Sequence, residues 1–131
     1  MSFTHTITLT YVTPGGQMAY SVNAVSADSE VNFDGAIPGS GAETEVDWAI
    51  TKANLKSIAL TSDIDVVVRT NADHAGSPQE TIALTGGQSW VWNTNSIGSN
   101  PFAGNVTKLY VTNANSAAAA LKIRALLDQT P

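Results

Sequence analysis

The chain contains no cysteine. Disulfide bonds, thiol nucleophiles and metal sites with cysteine ligands are therefore excluded as explanations of its function. Charge is also scarce, since 13% of the residues are Asp, Glu, Lys or Arg, about half of the roughly 25% that is usual in globular domains. Thr, Ser and Asn take their place, which is typical of a β protein with a polar surface. Such a surface suits burial under a partner, because burying a hydroxyl or amide costs less free energy than burying a charge.

Positive charge is the scarcer of the two signs. Six Lys and Arg residues stand against eleven Asp and Glu residues, giving a formal net charge of −5. This balance argues against binding to nucleic acid, which needs a basic face to displace counterions from phosphate. It also argues against binding to an anionic membrane surface. We therefore expect neither nucleic acid nor membrane as a partner.

Long apolar runs are missing as well. No segment approaches the ~18 consecutive apolar residues of a membrane-spanning helix. Residues 1–5 show no basic region followed by an apolar run, so we expect no secretory signal and a protein that folds in a cytoplasm.

Alternation of apolar and polar residues dominates what is present. In residues 3–11, Phe3, Ile7, Leu9 and Tyr11 fall on one face and threonines on the other, which predicts a strand with one buried side. Similar segments recur along the chain, separated by turns rich in Gly, Pro and Asn. With 131 residues, of which 43% are hydrophobic, the chain is expected to form one domain over residues 1–131. We predict an all-β fold, a single antiparallel β-sandwich of about eight or nine strands with long turn-rich loops.

Two segments are ambiguous between strand and helix. Residues 44–51 alternate as a strand does, although a helix over residues 44–59 also fits the apolar spacing. Residues 116–128 have helical propensity but a strand pattern. We predict strands for both, the second because the strand predicted at residues 106–111 needs a partner.

The stretch at residues 81–113 organises the rest of the chain. Trp90 and Trp92 share one face of a short strand and stand about 7 Å apart. Two such rings can form a platform on which a sugar stacks, or they can fill a core or a subunit interface. We favour the core or interface.

No set of residues predicts catalysis, a metal site or a cofactor site. The alternating acidic row at residues 28–35 lies along a strand, which spreads side chains instead of folding them around a cation. Asp73 and His74 are adjacent in sequence, a poor geometry for a base and its orienting group. Asp63 and Asp65 could be paired for glycoside hydrolysis only if they faced each other across a substrate. We expect a protein that is not an enzyme.

The second half of the chain resembles small β-sandwich structural proteins of tailed phages. The resemblance rests on residues 81–88, 90–93, 100–102, 106–114 and 121–123. It implies a virion head protein of the capsid decoration (cement) type. Proteins of that kind are often jelly-roll-like, lie on the capsid surface and clamp neighbouring major capsid subunits, commonly as trimers. The resemblance supplies no catalytic residues.

Candidate partner contacts lie in the long polar loop. They are Ile97, Asn100, Pro101 and Phe102, because apolar side chains in a loop are candidates for a protein interface. Phe102 could instead cover the end of its own sandwich. The alternative function is a carbohydrate-binding β-sandwich module, including a glycan-binding tail or baseplate protein, that uses Trp90 and Trp92.

Overall fold

The computed structural model describes residues 2–95 and 98–129, with the backbone alone at residues 17–20. Strands account for nearly all of the regular structure in this part of the chain, and its helical structure is a 3₁₀ turn at Lys52–Asn54. The strands are β1 (Phe3–Thr13), β2 (Gly16–Ala27), β3 (Ser29–Ile37), β4 (Glu43–Val46), β5 (Leu55–Ser62), β6 (Val66–Thr70), β7 (Thr81–Leu84), β8 (Ser89–Asn93), β9 (Leu109–Thr112) and β10 (Ala119–Leu127). The prediction of an all-β fold is confirmed.

Eight of these strands form a sandwich of two four-stranded sheets. The first sheet, sheet I, has the order β3-β10-β5-β8, and the second, sheet II, has the order β4-β9-β6-β7. Strand pairs are nested and antiparallel: β6 with β7, β5 with β8, β4 with β9, and β3 with β10. The chain is therefore wound like one long hairpin folded over on itself. That is the connection order of a jelly roll.

The two ambiguous segments are strands, as predicted, with differences in detail. Residues 119–127 form β10, but β10 pairs with β3 and β5, whereas β9 pairs with β4 and β6. The expected pairing of the last strand with residues 106–111 is therefore wrong, because the two segments lie in different sheets. In the segment 44–51, regular pairing ends at Val46, and an isolated bridge joins Ile50 to Val106.

The core lies between the two sheets and is filled by the inward residue of each alternating pair. Leu121, Ile123 and Ala125 of β10 are fully buried there, and Val111 of β9 faces them from the other sheet. Each buried aliphatic side chain contributes about 1.5–3 kcal/mol by leaving water. Among the described residues, no buried side-chain nitrogen or oxygen lacks a hydrogen-bond partner.

The first two strands form a separate two-stranded ribbon. They pair along their whole length, from Phe3 opposite Ala27 to Thr13 opposite Gly16, with a bulge between Tyr11 and Val12. We call this ribbon, residues 3–27, the arm. At 11 residues, β1 is about 37 Å long. The arm brings the number of strands to ten, where the sequence predicted eight or nine.

The base of the arm covers part of the outer face of sheet I. Leu126 points to this face, away from the main core, and is nevertheless fully buried. His5 contacts Glu30 of β3 and Ser57 of β5, whereas Asn23 and Ala24 contact residues in and after β8. The arm thus crosses the sheet toward β8, which is an edge strand. Its distal half extends beyond that edge.

Candidate interaction surfaces

The loop predicted to contact a partner turns much of its surface inward. Phe102 is 2% exposed, and its ring lies 6.4 Å from the ring of Trp48 and 6.2 Å from that of Trp90, measured between centroids. Such tilted pairs are favourable arrangements of aromatic rings. Phe102 therefore covers the end of its own sandwich, the second of the two roles considered for it, and offers almost no ring surface to a partner.

Asn100 holds the same loop in place. Its side-chain oxygen accepts a hydrogen bond from the backbone N–H of Phe102 at 3.0 Å, and its Nδ2 donates to the carbonyl of Lys52 at 3.1 Å. Pro101, which lies between Asn100 and Phe102 in the sequence, is half-buried. Ile97, the remaining predicted contact, lies outside the described residues. Contact of Asn100 or Pro101 with a partner stays a prediction.

Glu80 fixes the far side of this loop, and sequence reasoning did not single it out. Its Oε1 accepts hydrogen bonds from the hydroxyl of Thr70 at 2.7 Å and from Nε2 of Gln79 at 2.9 Å. Its Oε2 accepts one from the backbone N–H of Ala103 at 2.9 Å. Only the folding of β6 and β7 brings these groups to the loop, so no local pattern could have indicated them.

The two tryptophans of β8 do not form an exposed platform. Both point toward the core side, while Val91 between them points outward and is 44% exposed. Trp92 is buried and its indole N–H donates to the carbonyl of Gly98 at 3.2 Å. Trp90 is half-buried and packs against the core and Phe102. The core interpretation of these rings is confirmed, and the carbohydrate-binding alternative loses the residues on which it depended.

The acidic side chains of β3 are paired with other residues of the same chain. Glu30 Oε1 contacts His5 Nε2 at 2.9 Å, and Glu30 Oε2 accepts a hydrogen bond from Asn32 at 2.9 Å. Asp34 accepts two hydrogen bonds from the guanidinium of Arg124. Hydrogen bonds from Asn32 and from His5 lower the pKa of Glu30. Among the described residues, no three His, Asp or Glu side chains come together to hold a metal ion.

His74 is bonded to a glutamate that is remote in sequence, and its neighbour Asp73 does not orient it. Glu43 Oε1 lies 2.9 Å from Nδ1 of His74, and Arg69 lies 3.4 Å from Oε2 of the same carboxylate. Burial raises the pKa of Glu43, but the hydrogen bonds from His74 and the charge of Arg69 outweigh burial and leave the pKa lowered. Asp73 instead accepts backbone N–H groups of the turn that follows it. This cluster ties a loop to β4.

Asp63 and Asp65 hold backbone groups in two different places. Asp63 Oδ1 accepts from the N–H of Ala120 at 2.7 Å, and Asp65 Oδ1 accepts from the N–H of Gly86 at 2.7 Å. Both carboxylates therefore hold backbone segments of the fold in place.

The distal half of the arm is the most apolar exposed surface of the described chain. Exposed fractions there are 52% for Leu9, 56% for Tyr11, 66% for Val12 and 51% for Val22. Of the five exposed large hydrophobic residues found in the described part, four lie on the arm and the fifth is Val91. The sequence predicted one buried face for β1, and this holds for the base of the arm but is wrong for Leu9 and Tyr11. Alternation cannot reveal that a strand extends past the domain that it covers.

The arm is also free of formal charge. Residues 3–27 contain no Asp, Glu, Lys or Arg, and His5 is their one titratable side chain besides tyrosine. A cleft of about 230 Å³ lies where the arm leaves the sheet. Its lining includes Ile7 from the arm and Ala59, Val91 and Arg124 from the outer face of sheet I. The arm and the cleft are thus two neighbouring surfaces with apolar character.

Comparisons with known proteins add a distant likeness to a viral structure. No family model and no curated protein matches the chain. One solved structure, described as "Structure of infectious bursal disease virus Gx strain", is similar over 99% of this chain and 33% of that chain, with 13% sequence identity and a TM-score of 0.33. The chain therefore spans about a third of the length of that relative. Within the described residues, no helix is long and apolar enough to cross a membrane.

Proposed function

We propose that the chain is a non-enzymatic structural protein of a tailed-phage virion, a decoration protein that binds major capsid subunits and stabilises the head. On this proposal it assembles in the host cytoplasm, lies on the capsid surface and associates with further copies of itself, as a trimer. The phage assignment rests on the sequence resemblance. The jelly roll is compatible with it, since viral capsid domains are among the many users of that architecture.

The exposed arm is the observation that carries the proposal. Leu9 and Tyr11 are alternate residues on one face of the arm, and neighbouring exposed apolar side chains on a folded domain mark a site of contact with another macromolecule. Because the arm has no formal charge, it fits a protein surface better than a phosphate backbone or an anionic membrane. A small domain with one protruding arm suits attachment to a lattice, where many weak contacts add up through avidity.

The described side chains supply a reason to prefer assembly over catalysis. The carboxylates of Glu43, Asp63, Asp65 and Glu80 each accept hydrogen bonds that position a loop or a strand connection. These four carboxylates therefore stabilise the fold. The exposed apolar surface of the arm is the feature best suited to binding a partner.

Co-sedimentation with capsids tests the proposal. Purified protein is titrated onto heads of the encoding phage from which the chain has been stripped, and bound copies are counted after pelleting. We expect saturation at a fixed ratio to the major capsid protein, with the same ratio at higher protein concentration. Binding that never saturates, or no binding to heads that accept other head proteins, would overturn the proposal.

A further inference from the structure

We propose that the distal half of the arm docks on the outer face of sheet I of a second copy of this chain, against the cleft beside Val91. The inference deepens the proposed self-association and rests on that part of the proposed function. The donor surface is the exposed face of the arm that carries Leu9 and Tyr11. The acceptor is the part of sheet I that the molecule's own arm leaves uncovered, beside Val91.

Contacts within one chain show that these two kinds of surface fit each other. At the base of the arm, the stripe that begins with Phe3 and includes Ile7 lies on the outer face of sheet I, where Leu126 is fully buried. Leu9 and Tyr11 continue the same stripe along the same face of β1. The docking is therefore a continuation of an interface that already exists within the molecule.

Both halves of the proposed contact are exposed in the isolated chain. Leu9 and Tyr11 on the arm and Val91 on the acceptor are exposed. Val22, which pairs with Thr8, lies on the opposite face of the arm and takes no part in this contact. The arm cannot cover Val91 of its own sheet with its tip, because pairing with β2 keeps β1 extended past the edge strand. One contact between copies brings the two exposed surfaces together.

The chemistry of the acceptor also matches an uncharged arm. Ala59 and Val91 supply an apolar floor, and the guanidinium of Arg124 at the side is already paired with Asp34 at 2.8 Å. Docking the arm there requires no unpaired charge to be removed from water, which would be costly. A partner with a strongly charged surface would gain no matching charge from the arm.

The area of the contact explains why it must be repeated. The distal half of a two-stranded ribbon, about 17 Å long and 10 Å wide, presents a face of roughly 170 Å². Counted over both partners, such a contact buries roughly 340 Å², which is far below the roughly 1,200 Å² in total that stable interfaces bury. We infer a closed ring in which every copy both donates an arm and accepts one, reinforced when several copies are held together on a lattice.

Disulfide trapping tests the contact directly, because each introduced cysteine is the only thiol in its chain. Leu9→Cys protein is mixed with Val91→Cys protein under mild oxidation, and the heterodisulfide dimer is quantified. The matched control replaces Val91→Cys with Thr81→Cys, an exposed position on β7 of sheet II. We expect the Leu9–Val91 pair to form about tenfold faster than the control pair at about 100 µM protein, since docking raises the effective concentration. Adding Tyr11→Ser to the Leu9→Cys chain should remove most of that advantage.

Three results would overturn the inference. These are equal rates for Val91→Cys and Thr81→Cys, an unchanged rate after Tyr11→Ser, and a Leu9–Leu9 disulfide that forms faster than Leu9–Val91, which would mean that arms dock on each other. The four substituted positions are exposed, and far-ultraviolet circular dichroism checks that each variant is folded. Capsid co-sedimentation of the Tyr11→Ser variant is read separately. Trapping that fails while capsids are still bound contradicts this contact and leaves the proposed function standing.

Discussion

Phe102 shows how a residue in a polar loop becomes part of the core. Its ring packs between Trp48 and Trp90, and its backbone N–H is held by Asn100. The loop around it is rich in turn residues, so its sequence alone gives no sign of burial. What the sequence could not supply is the long-range contact with Trp48, which is more than fifty positions away.

Truncating this ring should destabilise the whole sandwich. We expect Phe102→Ala to lower the free energy of unfolding by about 3–5 kcal/mol, because the change removes a buried aromatic ring and leaves a cavity. Phe102→Leu, the control, keeps much of the volume and should cost less than half as much. Urea denaturation followed by tryptophan fluorescence measures both. A loss below about 1 kcal/mol for Phe102→Ala would mean that the ring is not part of the core.

Glu30 makes the attachment of the arm sensitive to acid. Its pKa is lowered in the folded protein from an ordinary value of 4.5, chiefly by the hydrogen bond from Asn32 and next by that from His5. A lowered pKa means that the carboxylate stabilises the fold above the ordinary value, and that this contribution is lost as the pH falls through the folded value.

Replacing Glu30 by Gln should therefore lower the stability of the protein at neutral pH and leave it unchanged in acid. We expect Glu30→Gln to reduce the free energy of unfolding by up to about 1 kcal/mol at pH 7, and the difference from wild type to disappear as the pH falls below 4.5. Thermal unfolding at a series of pH values measures the difference. Glu45→Gln is the control, because the side chain of Glu45 in sheet II is 55% exposed. A difference that grows toward low pH would contradict the assignment.

Among the elements, the arm departs furthest from what the sequence predicted. Its two strands and the turn between them follow from alternation and from the Pro-Gly-Gly sequence at residues 14–16. Its place does not follow, because nothing in residues 3–27 indicates that they leave the sandwich. The same is true of β10, whose strand character was predicted but whose partners, β3 and β5, were not. Pairing order depends on contacts between segments far apart in sequence, which local patterns do not encode.

Asn93 joins the arm to the edge of sheet I, and its loss should loosen that attachment. It is fully buried, and its Nδ2 donates to the carbonyl of Asn23 at 3.0 Å. Asn93→Ala should lower the free energy of unfolding by about 1–3 kcal/mol, because buried partners are left unpaired. It should also speed proteolytic cleavage within the arm.

Asn95→Ala is the matched control for that variant. Asn95 makes a similar bond to the carbonyl of Ala24 at 2.8 Å, but in an exposed setting where water can replace it. We expect a loss below about 1 kcal/mol. Chemical denaturation and limited proteolysis, read by mass spectrometry, measure both variants. Equal effects would mean that burial of Asn93 does not secure the arm.

For the whole molecule, the sequence predicted the fold class that the structure shows, but it did not predict which apolar residues are exposed. The nested order of eight strands confirms the all-β sandwich and its jelly-roll form. The weak charge and the absence of cysteine direct attention to contacts between surfaces, which stay a prediction. The partner contacts predicted from the sequence lie in the long polar loop, because apolar side chains in a loop are candidates for a protein interface. The fold buries Phe102 and exposes Leu9 and Tyr11 instead.

The copy number of the chain in purified virions tests the central claim most directly. Quantitative mass spectrometry of gradient-purified particles measures the molar ratio of this chain to the major capsid protein. We predict a fixed ratio, the same in every preparation and consistent with the positions that an icosahedral shell offers. Absence of the chain from purified particles, or traces that vary between preparations, would contradict the account.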